Sequence, residues 1–251
     1  MCDLHDESTP CTTRREALTT LRTGALLGAL GALFTSNAAE AAPAGPALSK
    51  SQQAAMTADE ILAMMKRGNG RFRAGKNHAH NELREQREAT VAGQYPAAML
   101  LSCMDSRAPA EVIMDLRVGD IFNARVAGNV INEDMLGSME FACKVAGSKV
   151  IVVMGHTRCG AVKGTIAGAK LGHLSGLLER IRPAIDATTF TGERTAENYA
   201  FVDAVAEKHV ALTVASITER STVLAELVRA GTIKVVGAMY DLESGALRFL
   251  A

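Results

Sequence analysis

Charge of either sign is not in excess here: 27 basic against 27 acidic side chains leave a formal net charge of zero. Without a basic stripe there is no electrostatic footprint for nucleic acid, and without an acidic block there is none of the composition that keeps a chain disordered. No internal repeat is found, which sets aside solenoids and propellers. Cysteine is scarce as well, with five residues, of which Cys2 and Cys11 fall in a leading segment expected to be removed. By elimination a small-molecule role remains. The 251 residues and their 48% apolar content suit one sizeable domain with a short appendage, since single cores grow to about 250 residues.

The appendage is residues 1–42. Thr13-Arg14-Arg15 precedes an apolar run rich in Gly and Ala from Thr23 to Phe34, and small residues including Ala39-Glu40-Ala41 follow. A positive stretch, an apolar run too short for a comfortable membrane span and an A-x-A site, in that order, form the layout of a secretory signal peptide. The paired arginines resemble the signal read by the twin-arginine export machinery, which exports folded, metal-loaded proteins. Neither Cys2 nor Cys11 follows the apolar run as a lipid-anchored cysteine would. The expectation is a periplasmic or otherwise exported protein with no stable membrane anchor after processing. Residues 43–55, which begin rich in Pro, Ala and Gly, are expected as a linker, and 56–251 as the folded domain.

Two apolar runs organise that domain. Ala97-Ala-Met-Leu-Leu-Ser-Cys103 and Val150-Ile-Val-Val-Met-Gly-His156 each read as a strand buried on both faces, and each ends in soft metal ligands. In an open α/β sheet, ligands collect beyond the carboxyl ends of the strands, so Cys103, His156 and Cys159 are expected in one cleft. The metal they suit is zinc. Three protein ligands with no fourth Cys or His nearby leave a position where substrate can react, whereas structural zinc is usually closed by four. The segment from Gly160 to Gly168 reads as a helix, so His156 and Cys159 are expected on one face of its first turn, where the helix favours the Cys159 thiolate. Asp105 and Arg107 are spaced to form a bidentate pair at the rim, holding the Asp off the metal. Taken singly, a Cys ending a strand, a His after one and an Asp-x-Arg are ordinary; their coincidence is not. With two thiols assigned to zinc, only Cys143 is left, so no structural disulfide forms without destroying the site. Cys143 itself falls on a buried helix face and reads as packing.

Cys103-Met-Asp-Ser-Arg107 followed by Ala-Pro-Ala-Glu111, and Gly155-His-Thr-Arg-Cys-Gly160 at the 53-residue separation of Cys103 from His156, resemble the two signature motifs of the β-class carbonic anhydrases, with similarity from about Met56 to the C-terminus. The resemblance implies one zinc per chain, reversible hydration of carbon dioxide to bicarbonate and a proton, and a homodimer or higher homo-oligomer with active sites at the subunit interface. It makes Cys103, His156 and Cys159 the zinc ligands and Asp105 with Arg107 the catalytic dyad. It matches Gln94 to a glutamine that hydrogen-bonds bicarbonate in plant-like members and Phe122 to an aromatic wall of the pocket. Phe141 falls where those members have a tyrosine, so a hydroxyl is missing there. A regulatory bicarbonate site of some members needs a Trp where this chain has Leu100, beside residues matching Arg125 and Tyr240; with no Trp anywhere, that site is not expected. Hydrolysis of carbonyl sulfide or carbon disulfide, and a purely structural zinc, are the competing readings, and the presence of Asp105, Arg107 and Gln94 argues against both.

The remaining pattern is α/β. An N-cap at Thr57 opens a helix through Phe72; Pro109 to Met114 is a short helix; Asp120 to Val126 is a strand of alternating exposure. Helices are expected from Asn132 to Ala146, Ser175 to Ile185, Ala196 to Ile217, and from a cap at Thr218 to Ala230. Ile233 to Tyr240 is a strand, and Ala246 to Leu250 pairs back on it. Strands separated by helical crossovers mean a mainly parallel central sheet with helices on both faces and a short antiparallel edge strand at the C-terminus. His78 and His80 read as solvent-exposed, and His173 and His209 are proton-shuttle candidates by residue type alone.

Overall fold

The computed structural model describes residues 46–250; the expected signal peptide, residues 1–42, lies outside them. Five strands form one sheet in the order β2-β1-β3-β4-β5. They are β1 (Ala98–Ser102), β2 (Ile121–Arg125), β3 (Val150–His156), β4 (Lys234–Tyr240) and β5 (Leu247–Phe249). The first four are parallel to their neighbours and β5 runs antiparallel to β4. Every residue of the central strands β1 and β3 is buried, which is why they read as unbroken apolar runs rather than alternating ones. β2, at the sheet edge, does not alternate as expected: four of its five residues are partly exposed and the last fully so.

Side-chain alternation splits the core into two layers. Met99 and Leu101 of β1 and Ile151 and Val153 of β3 face α9 (Tyr199–Arg220), whose Phe201, Val202, Val205 and Val210 are fully buried. Ala98, Leu100, Val150, Val152 and Met154 face the other way, onto Ile61, Met64 and Met65 of α2 (Ala58–Arg73) and onto the short α4 (Ala110–Ile113). Close approach of α9 depends on glycines in the strands: a Cβ at Gly155 would come within 2.7 Å of Val210, and one at Gly237 within 2.8 Å. Asn69 of α2 is buried and fully employed, donating to the carbonyls of Ile113 and Gly245 and accepting from Leu247 N–H, so it ties α2 to α4 and to β5. No helix among the described residues is long and apolar enough to cross a membrane.

Local chemistry explains where the observed boundaries differ from expectation. Thr57 and Glu60 form the capping box that starts α2. Within the stretch expected as a linker, Lys50–Ala55 instead forms α1: Ser49 and Gln52 make a second capping box, and buried Gln53 donates to Pro96 O at 2.8 Å and Ala146 O at 2.9 Å. The polar helix α3 (Leu83–Thr90) was not anticipated, because only Gln86 of it is buried and no apolar periodicity marks it. Asn132 caps α5 (Glu133–Glu140), which runs on into a π-helical turn at Phe141–Val145. The single helix expected over Ser175 to Ile185 is two, α7 (Gly172–Glu179) and α8 (Arg182–Ala187), broken ahead of Pro183, which has no N–H to continue the ladder. Thr218 does not cap: its hydroxyl bonds back to Ala215 O inside α9, and Ser221 caps α10 (Thr222–Arg229) instead, accepting from Leu224 N–H.

Candidate active site

β1 and β3 are parallel neighbours in register, Ser102 opposite Met154, so their carboxyl ends finish side by side. Cys103 is the residue after β1, His156 the last of β3, and Cys159 the N-cap of α6 (Gly160–Ile166). Their ligand atoms all lie within 4.8 Å of one another, and all three residues are buried. His156 and Cys159 do not share a helical turn as expected. His156 still belongs to the strand, and Arg158, in the left-handed region at φ 55°, turns the chain so that Cys159 comes back to face it.

The histidine is prepared for a metal. Its Nδ1 lies 2.9 Å from Thr157 O, and a carbonyl can only accept, so Nδ1 carries the proton and Nε2 keeps its lone pair. That Nε2 is buried with no hydrogen-bond partner among the described residues. A buried lone pair facing two thiols is costly unless something electrophilic meets it, and the N, S, S donor set suits tetrahedral zinc with one position left open. The residues therefore fit the metal.

Charge in the cluster is shared unevenly. The hydrogen bond from Cys159 pulls the Cys103 thiol down, helped by the N–H groups of Gly128 and Asp105, against the effect of burial. Cys159 moves the opposite way, pushed up because it is the donor in that bond and because it is buried, although the Ala161 and Val162 N–H groups favour its thiolate. As expected, the start of α6 supplies backbone N–H groups that favour the Cys159 thiolate, while Gly128 and Asp105 supply them to Cys103.

Beside the cluster, Asp105 and Arg107 form the bidentate pair. Arg107 Nε donates to Oδ1 at 2.9 Å and its terminal nitrogen to Oδ2 at 2.8 Å, while the Arg107 backbone N–H adds a third bond at 3.0 Å. These bonds hold the Asp105 carboxyl well below the usual carboxylate range. Its Oδ2 lies 3.8 Å from His156 Nε2, so an ionised, acceptor-only carboxylate overlooks the ligands. Arg125, which sequence similarity ties to a regulatory site, has a different task here: it donates to Cys103 O at 3.1 Å and Asp105 O at 2.5 Å and so pins the loop carrying both. Gly128 is a residue that sequence reasoning missed. Its N–H donates to Cys103 Sγ at 3.3 Å.

The family model described as carbonic anhydrase matches residues 98–247, which takes in every residue of this cluster. The chain belongs to the carbonic anhydrase family. Among its relatives, carbonic anhydrase 2 of Mycobacterium tuberculosis is 37% identical over 186 residues, covering 72% of this chain and 87% of that protein. The carbonic anhydrase of Mycolicibacterium smegmatis is 37% identical over 182 residues, with the same coverages of 72% and 87%. The β-carbonic anhydrase CafA of Aspergillus fumigatus superposes with a TM-score of 0.57 at 29% identity, covering 76% of this chain and 91% of that one. Coccomyxa β-carbonic anhydrase, at 22% identity and TM-score 0.59 over 65% of this chain and 75% of that one, shares the fold.

The three residues that the resemblance assigns to a substrate pocket are not gathered at the candidate ligands within one chain. Gln94 is exposed and precedes the start of β1, whereas the ligands lie past its end, about 13 Å of strand away. Phe122 and Phe141 meet edge to face at 6.1 Å, and they line an open groove of about 710 Å³ whose walls include none of the three ligands. Their residue types were legible in the sequence; their position relative to the metal was not. His78, His80 and His173 also lie outside the cluster, and His209 is buried away from solvent with its ring on a backbone carbonyl.

Proposed function

We propose that this protein catalyses the reversible hydration of carbon dioxide to bicarbonate and a proton, using one zinc ion per chain held by Cys103, His156 and Cys159. The observation that carries this reading is the buried, unpartnered His156 Nε2 among two thiols, next to a carboxylate that Arg107 keeps ionised. When bound, zinc would lower the pKa of water toward about 7 and make a hydroxide nucleophile available, somewhat higher here because two thiolates donate more charge than imidazoles.

The protein's own residues do the rest. Asp105, held as an acceptor, takes the hydrogen bond of the attacking hydroxyl at Oδ2 and turns its lone pair toward the carbon of carbon dioxide. Arg107 moves no proton; its fork fixes both carboxylate oxygens, so neither is free to rotate. Gln94 would hold an oxygen of the nascent bicarbonate, with Phe122 and Phe141 as the apolar wall. For that, a second copy of the chain must bring them, which supports a homodimer or higher homo-oligomer; the open groove beside the exposed Phe141 ring is consistent with such a contact. Arg14-Arg15 and the apolar run after it support delivery by the twin-arginine export machinery to the periplasm or another exported location, without a membrane anchor once processed.

Stopped-flow hydration of carbon dioxide by the zinc-loaded chain, beside Asp105→Ala and a chelator-stripped sample, tests the reading. Fast hydration that rises with pH and collapses in both controls supports it. One bound zinc per chain with no hydration would refute it and direct the same samples to carbonyl sulfide, then to a structural role.

A further inference from the structure

His209 is the one buried histidine in the described residues that is not a metal ligand, and it is 5% exposed. On α9 it points at the turn after β2, where its Nε2 lies 2.8 Å from Gly128 O. The carbonyl can only accept, so Nε2–H donates. Burial lowers the imidazole pKa, which keeps the ring neutral and the donating tautomer in place. The residue it grips is unusual: Gly128 sits at φ 64° and the next residue, Asn129, at φ 42°, two successive left-handed positions of which the second has a side chain. A Cβ at Gly128 would meet Ile181 Cδ1 at 2.5 Å and Ala161 Cβ at 3.1 Å, so the turn fits only glycine and lies tight against α6 and the segment before α8. The N–H of this same Gly128 is the one that donates to Cys103 Sγ. One glycine thus has its carbonyl held by His209 and its N–H aimed at a metal-binding sulfur.

We propose that His209 is a positioning residue for the metal centre: by fixing Gly128 it sets the hydrogen bond that Cys103 receives, and so how much charge that thiolate gives the metal. The inference rests on the reading of Cys103 as a ligand. A hydrogen bond to a ligating sulfur stabilises its lone pairs and fixes where they point; its loss raises the sulfur's donor level but leaves the ligand poorly oriented, and loss of such an outer partner typically costs about 10–100-fold in metal affinity or activity. In a site with two thiolates this bond tempers the donation that would otherwise make bound water less acidic. His209 also lines a cavity of about 340 Å³ with Leu212 and Thr213, so a replacement of similar size need not collide.

The test compares His209→Leu, which fills the space without a donor, with His209→Gln, whose amide can donate to Gly128 O. Each is loaded with zinc, and affinity is read by chelator competition; each is then loaded with cobalt(II), and the thiolate-to-cobalt charge-transfer band is recorded. The expected result is that His209→Leu loses about tenfold in affinity and its band moves to longer wavelength, while His209→Gln stays near wild type on both. A His209→Leu protein with wild-type affinity and an unmoved band overturns the proposal, and so does an equal loss in the two variants, which would mark a packing role. If His209→Leu does not fold, His209→Asn, polar but too short to reach, takes its place under the same criteria. A wild-type chain that takes up no metal would overturn the ligand reading of Cys103 as well, which separates that failure from this one.

Discussion

Replacing Arg107 separates what holds the site together from what makes it work. Two of the three hydrogen bonds that Asp105 receives from Arg107 come from the guanidinium, and the third, from the backbone N–H, survives any substitution. The Arg107 side chain is 56% exposed, so the pair contributes no more than the about 0–1 kcal/mol of a surface ion pair. For a domain of this size that is a fall in Tm of at most about 4 °C. Orientation is a different matter: a freed carboxylate rotates about its Cα–Cβ and Cβ–Cγ bonds, and a misplacement of the order of 1 Å costs about 100-fold in rate. Arg107→Ala is therefore expected to lower kcat/KM for carbon dioxide hydration by about 100-fold with Tm nearly unchanged and zinc content intact. Arg107→Lys, which keeps a charge but offers a point instead of a fork, should fall between. Stopped-flow hydration, differential scanning calorimetry and metal analysis on the same preparations decide it. Hydration within about twofold of wild type would refute the argument that the fork orients Asp105, and a large fall in Tm would show that the pair is structural.

Other consequences are equally open to measurement. Burial pushes the Cys143 thiol up to about 12, so it is neutral below that pH and only about one molecule in ten thousand is a thiolate at pH 8; peptide mapping after iodoacetamide should find it unlabelled in the native protein and labelled after denaturation. Gln53→Ala leaves the Pro96 and Ala146 carbonyls without their partner and should cost about 1–3 kcal/mol in chemical denaturation, whereas a true linker residue would cost nothing measurable. Because Arg107 holds the Asp105 pKa depressed, that pair contributes stability above the unfolded carboxylate value near about 4 and loses it only as pH falls through the lower folded value, so the hydration profile of the zinc-loaded enzyme should show no limb from Asp105 between pH 5 and 9. Asp105→Ala and Gln94→Ala chains, each inactive or impaired alone, should recover up to about a quarter of wild-type sites when co-expressed in equal amounts, because half of random dimers are mixed and each mixed dimer has one intact site; no recovery would mean that Gln94 does not act across chains.

The sheet was legible because its central strands are buried on both faces: a run such as Val150 to Met154 has no polar residue to disguise its period. Edges and polar helices were harder. Nothing in Leu83–Thr90 repeats with an apolar period, since α3 is held by Gln86 rather than by a greasy face, and the break between α7 and α8 hangs on Pro183, inside an otherwise continuous pattern. α1 was hidden by the Pro-rich and Ala-rich residues ahead of it, and its anchoring bonds run to Pro96 and Ala146, far along the chain.

The same division applies to the site. Cys103, His156, Cys159, Asp105 and Arg107 stand at strand ends or in one short loop, so sequence distance was a fair guide to their geometry. The hydrogen bond to Cys103 was not, because it comes from Gly128, 25 residues on, in a turn that no local pattern announces. Gln94, Phe122 and Phe141 are the opposite case. Each residue type suits a carbon dioxide pocket, yet a parallel sheet has two ends, and Gln94 enters the sheet at the end where the ligands are not. Within one chain no adjustment of side chains brings an exposed residue at the start of β1 to a metal past its finish. For Gln94 to act on substrate, the symmetry of an oligomer must supply what the topology of the monomer forbids.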